Sequence, residues 1–296
     1  MPLDENSNLQ RSLSKISALR SLAYIVIDLL VIALLLVIML SMSNPFITLV
    51  GIVLIARQQY ALAVLGHDAV HRRLFKQKYI NDTAGRLLFT GFSGLSFDGY
   101  QFTHLKHHQH AMFDSDPDKR FVENFPTTKR NLLEQFIPDC LGITWVYLFL
   151  YYLKNAYTSL TSFKYLFLNY LPALIINLSL LSCFFAINQA WLFLFYWVTP
   201  MVIIMPIFMH IRGISEHACF SGDKTQMNCS RTVVNPLQAF FIAPHNVNYH
   251  MEHHTNPSVT HFNLQKYHDI LISQDKLQKN NLFKSYFSVI KFITTK

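Results

Sequence analysis

Four long apolar runs divide the chain, and polar stretches of unequal length separate them. The runs cover residues 21–42, 46–65, 166–187 and 190–211. A helix of about 20 apolar residues rises about 30 Å, which is enough to cross the hydrocarbon core of a bilayer. The pattern therefore predicts an all-α integral membrane fold, with four transmembrane helices arranged as two hairpins.

Two shorter apolar segments lie between the hairpins, at residues 87–97 and 140–153. Each is too short, or too often interrupted by polar residues, to cross the bilayer, so we expect one or two helices in the membrane interface or against the core. Residues 1–20 form a polar N-terminal segment and residues 271–296 a basic C-terminal tail. We expect residues 21–270 to form a single membrane domain.

Two charged residues interrupt the apolar runs. Asp28 lies in the first run and Arg57 in the second. A charge at membrane depth is costly, so such residues usually face other protein groups or a polar cavity. Both side chains are therefore expected to point into the protein and not towards lipid.

The distribution of positive charge predicts the sidedness. Every Lys and Arg except Arg57 lies before the first run, between the two hairpins, or after the second hairpin. Positive residues stay on the cytoplasmic side, so both termini and the central polar segment are expected there.

The net charge is +8, but no basic cluster is long enough for a nucleic-acid arm. The cysteines (Cys140, Cys183, Cys219 and Cys229) show no CxxC spacing and are expected to be reduced.

Histidines at metal-ligand spacing form three clusters in the predicted cytoplasmic segments. Residues at i, i+3 and i+4 share one face of a helix, so the imidazoles of each cluster can converge on one site. Neutral imidazole is the commonest protein ligand for a transition metal. The clusters are His67 and His71; His104, His107 and His108; and His250, His253 and His254.

The number of clustered histidines indicates more than one metal ion. These eight exceed the three or four ligands that one zinc ion takes, so a two-metal site accommodates them better. Imidazole ligands without thiolates suit iron, copper, zinc or nickel, and the residues alone leave that choice open.

The three clusters resemble the histidine boxes of the membrane fatty-acid desaturase and hydroxylase superfamily. The likeness covers residues 46–270 and is closest at 67–71, 212–217 and 246–257, where it is similar to bacterial acyl-lipid, sphingoid-base and rhizobitoxine-pathway desaturases. The resemblance implies two iron ions, with O₂ as co-substrate. It adds the isolated His217 as a ninth ligand. At the place where some acyl-CoA desaturases carry a further asparagine ligand, this chain has Gly213.

Several polar residues beside the clusters are candidates to orient the ligands, because ligating imidazoles usually donate their second ring N–H to a carboxylate or carbonyl. Asp68, Glu216 and Glu252 each adjoin a histidine of this set, and the acidic run at 114–118 follows the second cluster. Asn246 lies four residues before His250 and is a candidate to hold a metal-bound water. The remaining histidines are expected to be structural: His110, His210, His245, His261 and His268.

The sequence favours the function of an O₂-dependent desaturase that acts on a fatty-acyl or related lipid chain. A hydroxylase or ketolase on the same scaffold, a desaturase of a small polar substrate, and a non-enzymatic membrane metal-binding protein are alternatives. The metal carrier fits less well, because its ligands should lie within the membrane helices. The sequence shows neither a cytochrome b5 signature nor a CxxC electron-transfer domain. The expected electron donor is therefore a separate ferredoxin or cytochrome-type protein with its reductase.

The charge distribution makes a testable topology prediction. Reporter fusions at Asn44 and Asn188, the predicted hairpin tips, should report the outer side of the membrane, whereas fusions at Lys129 and at the C-terminus should report the cytoplasm. Paired alkaline phosphatase and fluorescent-protein fusions measure this. A histidine cluster accessible from the outer side alone would contradict the prediction.

Overall fold

The computed structural model describes residues 9, 11–42, 44–159, 163–218, 230–277 and 279–294. Its architecture is mostly helical, with almost no sheet. The α-helices, numbered α1 to α14 in chain order, are Ala18–Ser41, Pro45–Val70, Lys78–Gly85, Gly91–Ser93, Phe97–His110, Lys129–Gln135, Ile137–Cys140, Ile143–Ser159, Phe163–Ala186, Met205–His217, Pro236–Ile242, His250–Thr255, Leu264–Ser273 and Tyr286–Ile293.

Shorter elements connect these helices. Three π-helical turns occupy Arg86–Thr90, Leu194–Val198 and Pro200–Ile204, and three 3₁₀ turns occupy Lys119–Phe121, His261–Asn263 and Lys279–Asn281. Strands β1 (Thr232–Val233) and β2 (Leu282–Phe283) form a parallel pair. This pair ties the C-terminal region to the segment that precedes the third histidine cluster.

Within the described residues, four helical segments are long and apolar enough to cross a membrane, as predicted: Arg11–Ser41, Pro45–Val70, Phe163–Ala186 and Leu194–His217. The second is the central one, since 61% of its apolar window is buried inside the protein. The third has 6% buried and exposes most of its large apolar side chains on the outer surface, although Phe184 is buried, as expected for a helix in contact with lipid.

The second spanning helix is longer than the apolar run predicted. Asn44 caps its N-terminus by accepting hydrogen bonds from the amides of Phe46 and Ile47. The helix then continues past residue 65 through Val70, because nothing in that stretch breaks a helix until Arg72, whose φ is 56°. The first histidine cluster therefore begins inside α2 and does not follow it.

The segment at 87–97 is not a single helix. A π-turn and the three-residue helix α4 occupy most of it, and Phe97 starts α5. Leu88, Phe89, Phe92 and Leu95 are buried in the main apolar core around α2. The apolar residues of this segment therefore pack against the spanning helices. The segment at 140–153 is helical from Ile143 onward, as expected, and α8 packs along α5.

The charged residues in the spans face protein groups, as predicted. Asp28 on α1 accepts hydrogen bonds from Gln58 Nε2 at 3.0 Å and from His245 at 2.8 Å. Arg57 Nε donates to the Phe240 carbonyl at 2.8 Å, and its guanidinium lies 4.2 Å from the Phe240 ring centroid. These contacts fasten residues 240–245, which lead into the third histidine cluster, to both of the first two spanning helices.

The C-terminal residues beyond 270 are partly packed. Tyr286, Val289 and Ile293 of α14 are buried in the second apolar cluster, and the Thr127 amide donates to the Ile293 carbonyl at 2.8 Å. The single domain over residues 21–270 stays a prediction.

Cys140 and Cys183 are exposed free thiols, whereas Cys219 and Cys229 lie outside the described residues.

The contact between α5 and α8 depends on a glycine, which yields a prediction. A Cβ at Gly99 would lie 1.9 Å from the Tyr152 carbonyl oxygen, so Gly99→Ala should force the two helices apart and destabilise the fold by about 1–3 kcal/mol. Thermal unfolding in detergent measures the change. Gly213→Ala is the matched control, because a Cβ there meets nothing within 4 Å and alanine is the better helix former. Equal melting temperatures for the two variants would contradict the prediction.

Candidate metal centre

Four segments carry the nine histidines to one place. His67 lies in the last turn of α2 and His71 caps that helix, while the second cluster lies on α5 and the third on α12. His217 is the last residue of α10. Seven of these side chains are deeply buried, whereas His71 and His108 lie closer to the surface. The structure thus brings together all the histidines that the sequence singled out as ligands.

The first set, the five-histidine group, joins ligands from three segments: His67, His71, His104, His108 and His253. Their ligand nitrogens lie within 4.8 Å of one another. The Nε2 atoms of His71 and His104 are 3.1 Å apart, those of His104 and His108 are 3.0 Å apart, and those of His108 and His253 are 3.1 Å apart. Five nitrogens therefore surround one point.

The second set, the four-histidine group, contains His107, His217, His250 and His254, again with ligand nitrogens within 4.8 Å of one another. His107 Nε2 lies 3.2 Å from His217 Nε2 and 3.3 Å from His254 Nε2. The Nε2 atoms of His217 and His250 are 2.8 Å apart. This group has one histidine fewer than its neighbour.

Helical spacing decides which group each histidine joins. Residues at i and i+4 differ by about 40° around the helix axis and enter the same group, as His104 and His108 do. Adjacent residues differ by about 100°, so His107 enters the other group. The third cluster divides in the same way, with His253 separated from its two neighbours. The two groups consequently share helices, and the rings of His108 and His254 stack at 4.2 Å across the boundary.

The nitrogen separations fit metal coordination. Two ligands about 2.1 Å from one ion, at angles of 90° to 110°, place their nitrogens about 3.0–3.4 Å apart. The observed separations of 2.8–3.3 Å fall close to this range. Both ring nitrogens of His67 are buried without a hydrogen-bond partner, which is unfavourable unless something else binds one of them. The residues present therefore fit two transition-metal ions, one in each group.

The titration behaviour agrees with this arrangement. Burial, and then the neighbouring imidazoles, hold the pKa values of several cluster histidines well below the ordinary value: His104, His108, His250, His253 and His254. Burial also lowers the pKa of His71, to about 3. Neutral imidazoles keep a free lone pair, which is the form that binds a metal.

One carboxylate of the acidic run at 114–118 holds a histidine of the four-histidine group. Both oxygens of buried Asp116 lie 3.0 Å from His107 Nδ1, and they also accept the backbone N–H groups of Met112 and Asp118. Burial alone would raise the pKa of Asp116, but the hydrogen bond from His107 lowers it below its usual range. Asp116 therefore keeps the proton on Nδ1 and leaves Nε2 of His107 free towards the group.

Glu216 reaches the same group from the other side. Its Oε1 accepts a hydrogen bond from Arg212 Nε at 2.6 Å, and its Oε2 lies 3.5 Å from His250 Nε2. Arg212 had no role in the sequence interpretation. Its position four residues before Glu216 on the same helix was the available signal, because such pairs face each other.

Two other predicted carboxylates are bonded to histidines outside the groups. Asp68 Oδ2 accepts a hydrogen bond from His261 Nδ1 at 2.7 Å. The other oxygen, Asp68 Oδ1, lies 3.8 Å from Nδ1 of the neighbouring His67. Glu252 accepts from His268 Nδ1 at 2.5 Å and from the Thr232 hydroxyl. These carboxylates anchor the segments that follow the third cluster.

The remaining candidates take structural positions. Asn246 has a φ of 62°, and its amide nitrogen donates to the His261 carbonyl at 3.1 Å. His210 pairs with Asp139 at 2.8 Å, and His110 is exposed at the end of α5. Among the described residues, the two histidine groups contain none of the five histidines that were expected to be structural.

Comparison with known proteins gives two results. Over 92 residues the chain is 29% identical to the sn-1 acyl-lipid omega-3 desaturase (ferredoxin) of Nostoc sp. (strain 36). The aligned region is 31% of this chain and 24% of that relative, so the chain spans about a quarter of the relative's length. Residues 43–286 match the profile of the family described as fatty acid desaturase. This match covers most of the chain, includes all nine histidines of the two groups, and agrees with the resemblance of the histidine boxes. The chain belongs to the fatty acid desaturase family.

Proposed function

We propose that the chain is a membrane-bound, O₂-dependent desaturase that binds two iron ions and introduces a double bond into the acyl chain of a lipid. The observation that carries the proposal is the pair of adjacent imidazole groups at the end of apolar spanning helices. Membership of the fatty acid desaturase family supports the reaction type. The ligands of the two ions would be the members of the five-histidine and four-histidine groups.

The net reaction converts a –CH₂–CH₂– unit into –CH=CH–. O₂ takes up four electrons and four protons to give two molecules of water. Two of the electrons and two of the protons leave with the substrate hydrogens, two electrons come from a donor protein, and two protons come from solvent. Bound iron would supply the oxidising power for cleaving unactivated C–H bonds. The relative from Nostoc carries ferredoxin in its name, which supports a ferredoxin as the donor here.

The chain's own side chains would hold and orient this centre. Asp116 holds the His107 ring through Nδ1, and Arg212 balances the charge of Glu216 beside His250. Outer partners of this kind commonly raise metal affinity and activity, because they set the ring orientation and tautomer of the ligand. Burial of the ligands would keep bulk water away from the reacting carbon.

An aromatic wall separates the five-histidine group from the apolar core. The Tyr100 ring stacks on Phe89 at 4.5 Å and lies 5.0 Å from the ring of His104. Tyr152 of α8 meets Tyr100 edge-on at 5.5 Å. We propose that the acyl chain approaches the metals along this wall from the bilayer, because it needs apolar surroundings up to the reacting carbon. Both termini and the metal centre would lie on the cytoplasmic side, as the distribution of Lys and Arg suggests.

The first prediction from the proposed function concerns metal content and product. Purified protein should hold about two iron ions per chain, and cells that express it should accumulate a lipid with one added double bond. His253→Ala removes a ligand from the five-histidine group and His250→Ala removes one from the four-histidine group. Each should lower iron to about one ion per chain or less and abolish the product. Elemental analysis and mass spectrometry of the lipids measure both effects.

His110→Ala is the matched control, because His110 is an exposed histidine outside both groups. It should keep full iron content and full product. Circular dichroism should show that all three variants retain their helices. Zinc in place of iron in the wild-type protein would overturn the proposal, and a hydroxylated lipid in place of an alkene would assign the chain to a hydroxylase.

The second prediction concerns Asp116. Asp116→Asn keeps one oxygen, which can accept from the Met112 amide or the Asp118 amide but not from both, and it removes the charge that holds His107. Iron affinity should fall about 10- to 100-fold, as is typical when such a partner is lost. Competition with an iron chelator measures it. Asp114→Asn is the control, since Asp114 is exposed and contacts Lys119 at 2.6 Å. Equal iron retention in both variants would leave Asp116 without this role.

A further inference from the structure

Two of the proposed ligands, His71 and His108, lie closest to the surface of the protein. His71 is the more exposed of the two, since His108 is 8% exposed, and the other seven proposed ligands are buried more deeply. His71 lies in the five-histidine group, with its Nε2 3.1 Å from that of His104. A molecule that contacts the surface here is separated from the group by a single imidazole.

Exposed basic residues lie close to His71 in the chain, and another comes from a segment that packs nearby. Arg72 follows His71 directly, Lys76 and Lys78 come shortly after it, and all three are exposed. Lys15, also exposed, comes from the N-terminal segment. We call these four residues the His71 patch.

Two hydrogen bonds to Ser258 place Lys15 near the residues that follow His71. Ser14 Oγ lies 2.9 Å from Ser258 Oγ, and Arg73 Nη1 donates to the Ser258 carbonyl at 3.3 Å. Lys15 follows Ser14, and Arg72 precedes Arg73, so both lie next to the Ser258 segment. The patch therefore gathers charge from two regions that are far apart in sequence.

The positive charge of the patch is available to a partner. The ion pairs among the described residues involve none of its four side chains. Asp82, on the adjacent helix α3, is partly buried and accepts a hydrogen bond from Asn81 at 3.2 Å. An acidic surface approaching the patch would meet lysine and arginine groups that form no ion pair with the described residues, which accelerates the encounter and orients the partner.

The backbone beneath the patch is held firmly. Arg73 Nε donates to the His71 carbonyl at 2.9 Å, and Ser21 Oγ donates to the Leu74 carbonyl at 3.0 Å. Asn81 Oδ1 accepts the amides of Leu74 and Phe75, each at 3.3 Å. A partner docking here would not have to order a loop, so little binding energy is lost.

We propose that the His71 patch is the docking surface for the electron donor, an acidic ferredoxin, and that electrons enter the metal centre through the His71 side chain. The proposal rests on the desaturase function proposed above. In each encounter the reduced [2Fe–2S] cluster of the donor loses one electron and the metal centre gains one. Two encounters supply the two electrons that one double bond requires.

The test measures ferredoxin oxidation by the iron-loaded, full-length protein in detergent, without O₂, by stopped-flow absorbance. The probe is reduced plant-type [2Fe–2S] ferredoxin. Arg72→Glu combined with Lys76→Glu should lower the second-order rate constant at low ionic strength at least about 10-fold. Added salt should lower the wild-type rate towards that of the variant, because salt screens the attraction.

Lys129→Glu combined with Lys291→Glu is the matched control. Both lysines are exposed, and the double variant changes the net charge by the same amount. They lie on α6 and α14, which carry none of the proposed ligands. The control should retain the wild-type rate within about twofold, because the loss should depend on where the charge lies.

Reduction by sodium dithionite separates this proposal from the proposed function. Dithionite needs no protein docking surface, so it should reduce the patch variant and the charge-matched control equally fast. Wild-type protein that dithionite reduces, together with equal ferredoxin rates for both double variants, would overturn the docking surface alone. A wild-type protein that takes no electrons from dithionite would instead overturn the iron-dependent function. Unchanged ferredoxin rates with lost binding to phosphatidylglycerol vesicles would show that the patch contacts lipid, and would also overturn the proposal.

Discussion

The fold depends on holding nine imidazole nitrogens in two sets inside an apolar protein, with the members of each set close enough together to coordinate one metal ion. Buried polar nitrogens without partners are costly, and each imidazole needs a definite orientation. No single helix can present more than about three such side chains to one site. The structure therefore uses the ends of two spanning helices and two shorter helices, α5 and α12, and it packs them closely enough that ligands from different segments lie about 3 Å apart.

Buried charges far from the metals support that arrangement. The third cluster lies on a helix of six residues, too short to be stable alone. The segment before this helix is held by hydrogen bonds from His245 to Asp28 and from Arg57 to the Phe240 carbonyl. The segment after it is held by the hydrogen bond between His261 and Asp68. This explains why an aspartate and an arginine are tolerated in apolar spans: each is hydrogen-bonded within the protein, and breaking such a pair would leave an uncompensated buried charge.

The sequence predicted the parts of this architecture that are encoded locally. Apolar length identified the four candidate spans, and the i, i+3 and i+4 spacings identified eight of the clustered histidines, since both signals lie within one helix. The family resemblance was needed for His217, because an isolated histidine carries no spacing signal. The helix of the second span continues to Val70, beyond the apolar run, since the polar residues at 57–59 and the histidines interrupt the apolar pattern without breaking the helix.

The partners of the carboxylates could not be read in the same way, because they depend on contacts between distant segments. Asp68 and His261 are separated by 193 positions and Asp28 and His245 by 217, and nothing local indicates either pair. The division of each HxxHH cluster between two groups follows from the helix geometry, but it becomes visible only when the neighbouring helices are in place. The acidic run at 114–118 indicated a carboxylate near the ligands, yet its sequence does not distinguish Asp116 from its neighbours.

A centre of this kind has two opposing requirements, and the structure separates them in space. Cleavage of an unactivated C–H bond requires a dry, apolar approach, whereas electron delivery requires a wet, charged surface for a soluble protein. Tyr100 and Phe89 border the five-histidine group on one side, and His71 with its basic neighbours borders it on another. Because His71 and His104 belong to the same group, a donor at the surface and an acyl chain at the aromatic wall would act on the same metal ions without meeting. Limited exposure of His71, and to a smaller degree of His108, would then admit electrons while the other seven ligands remain shielded from water.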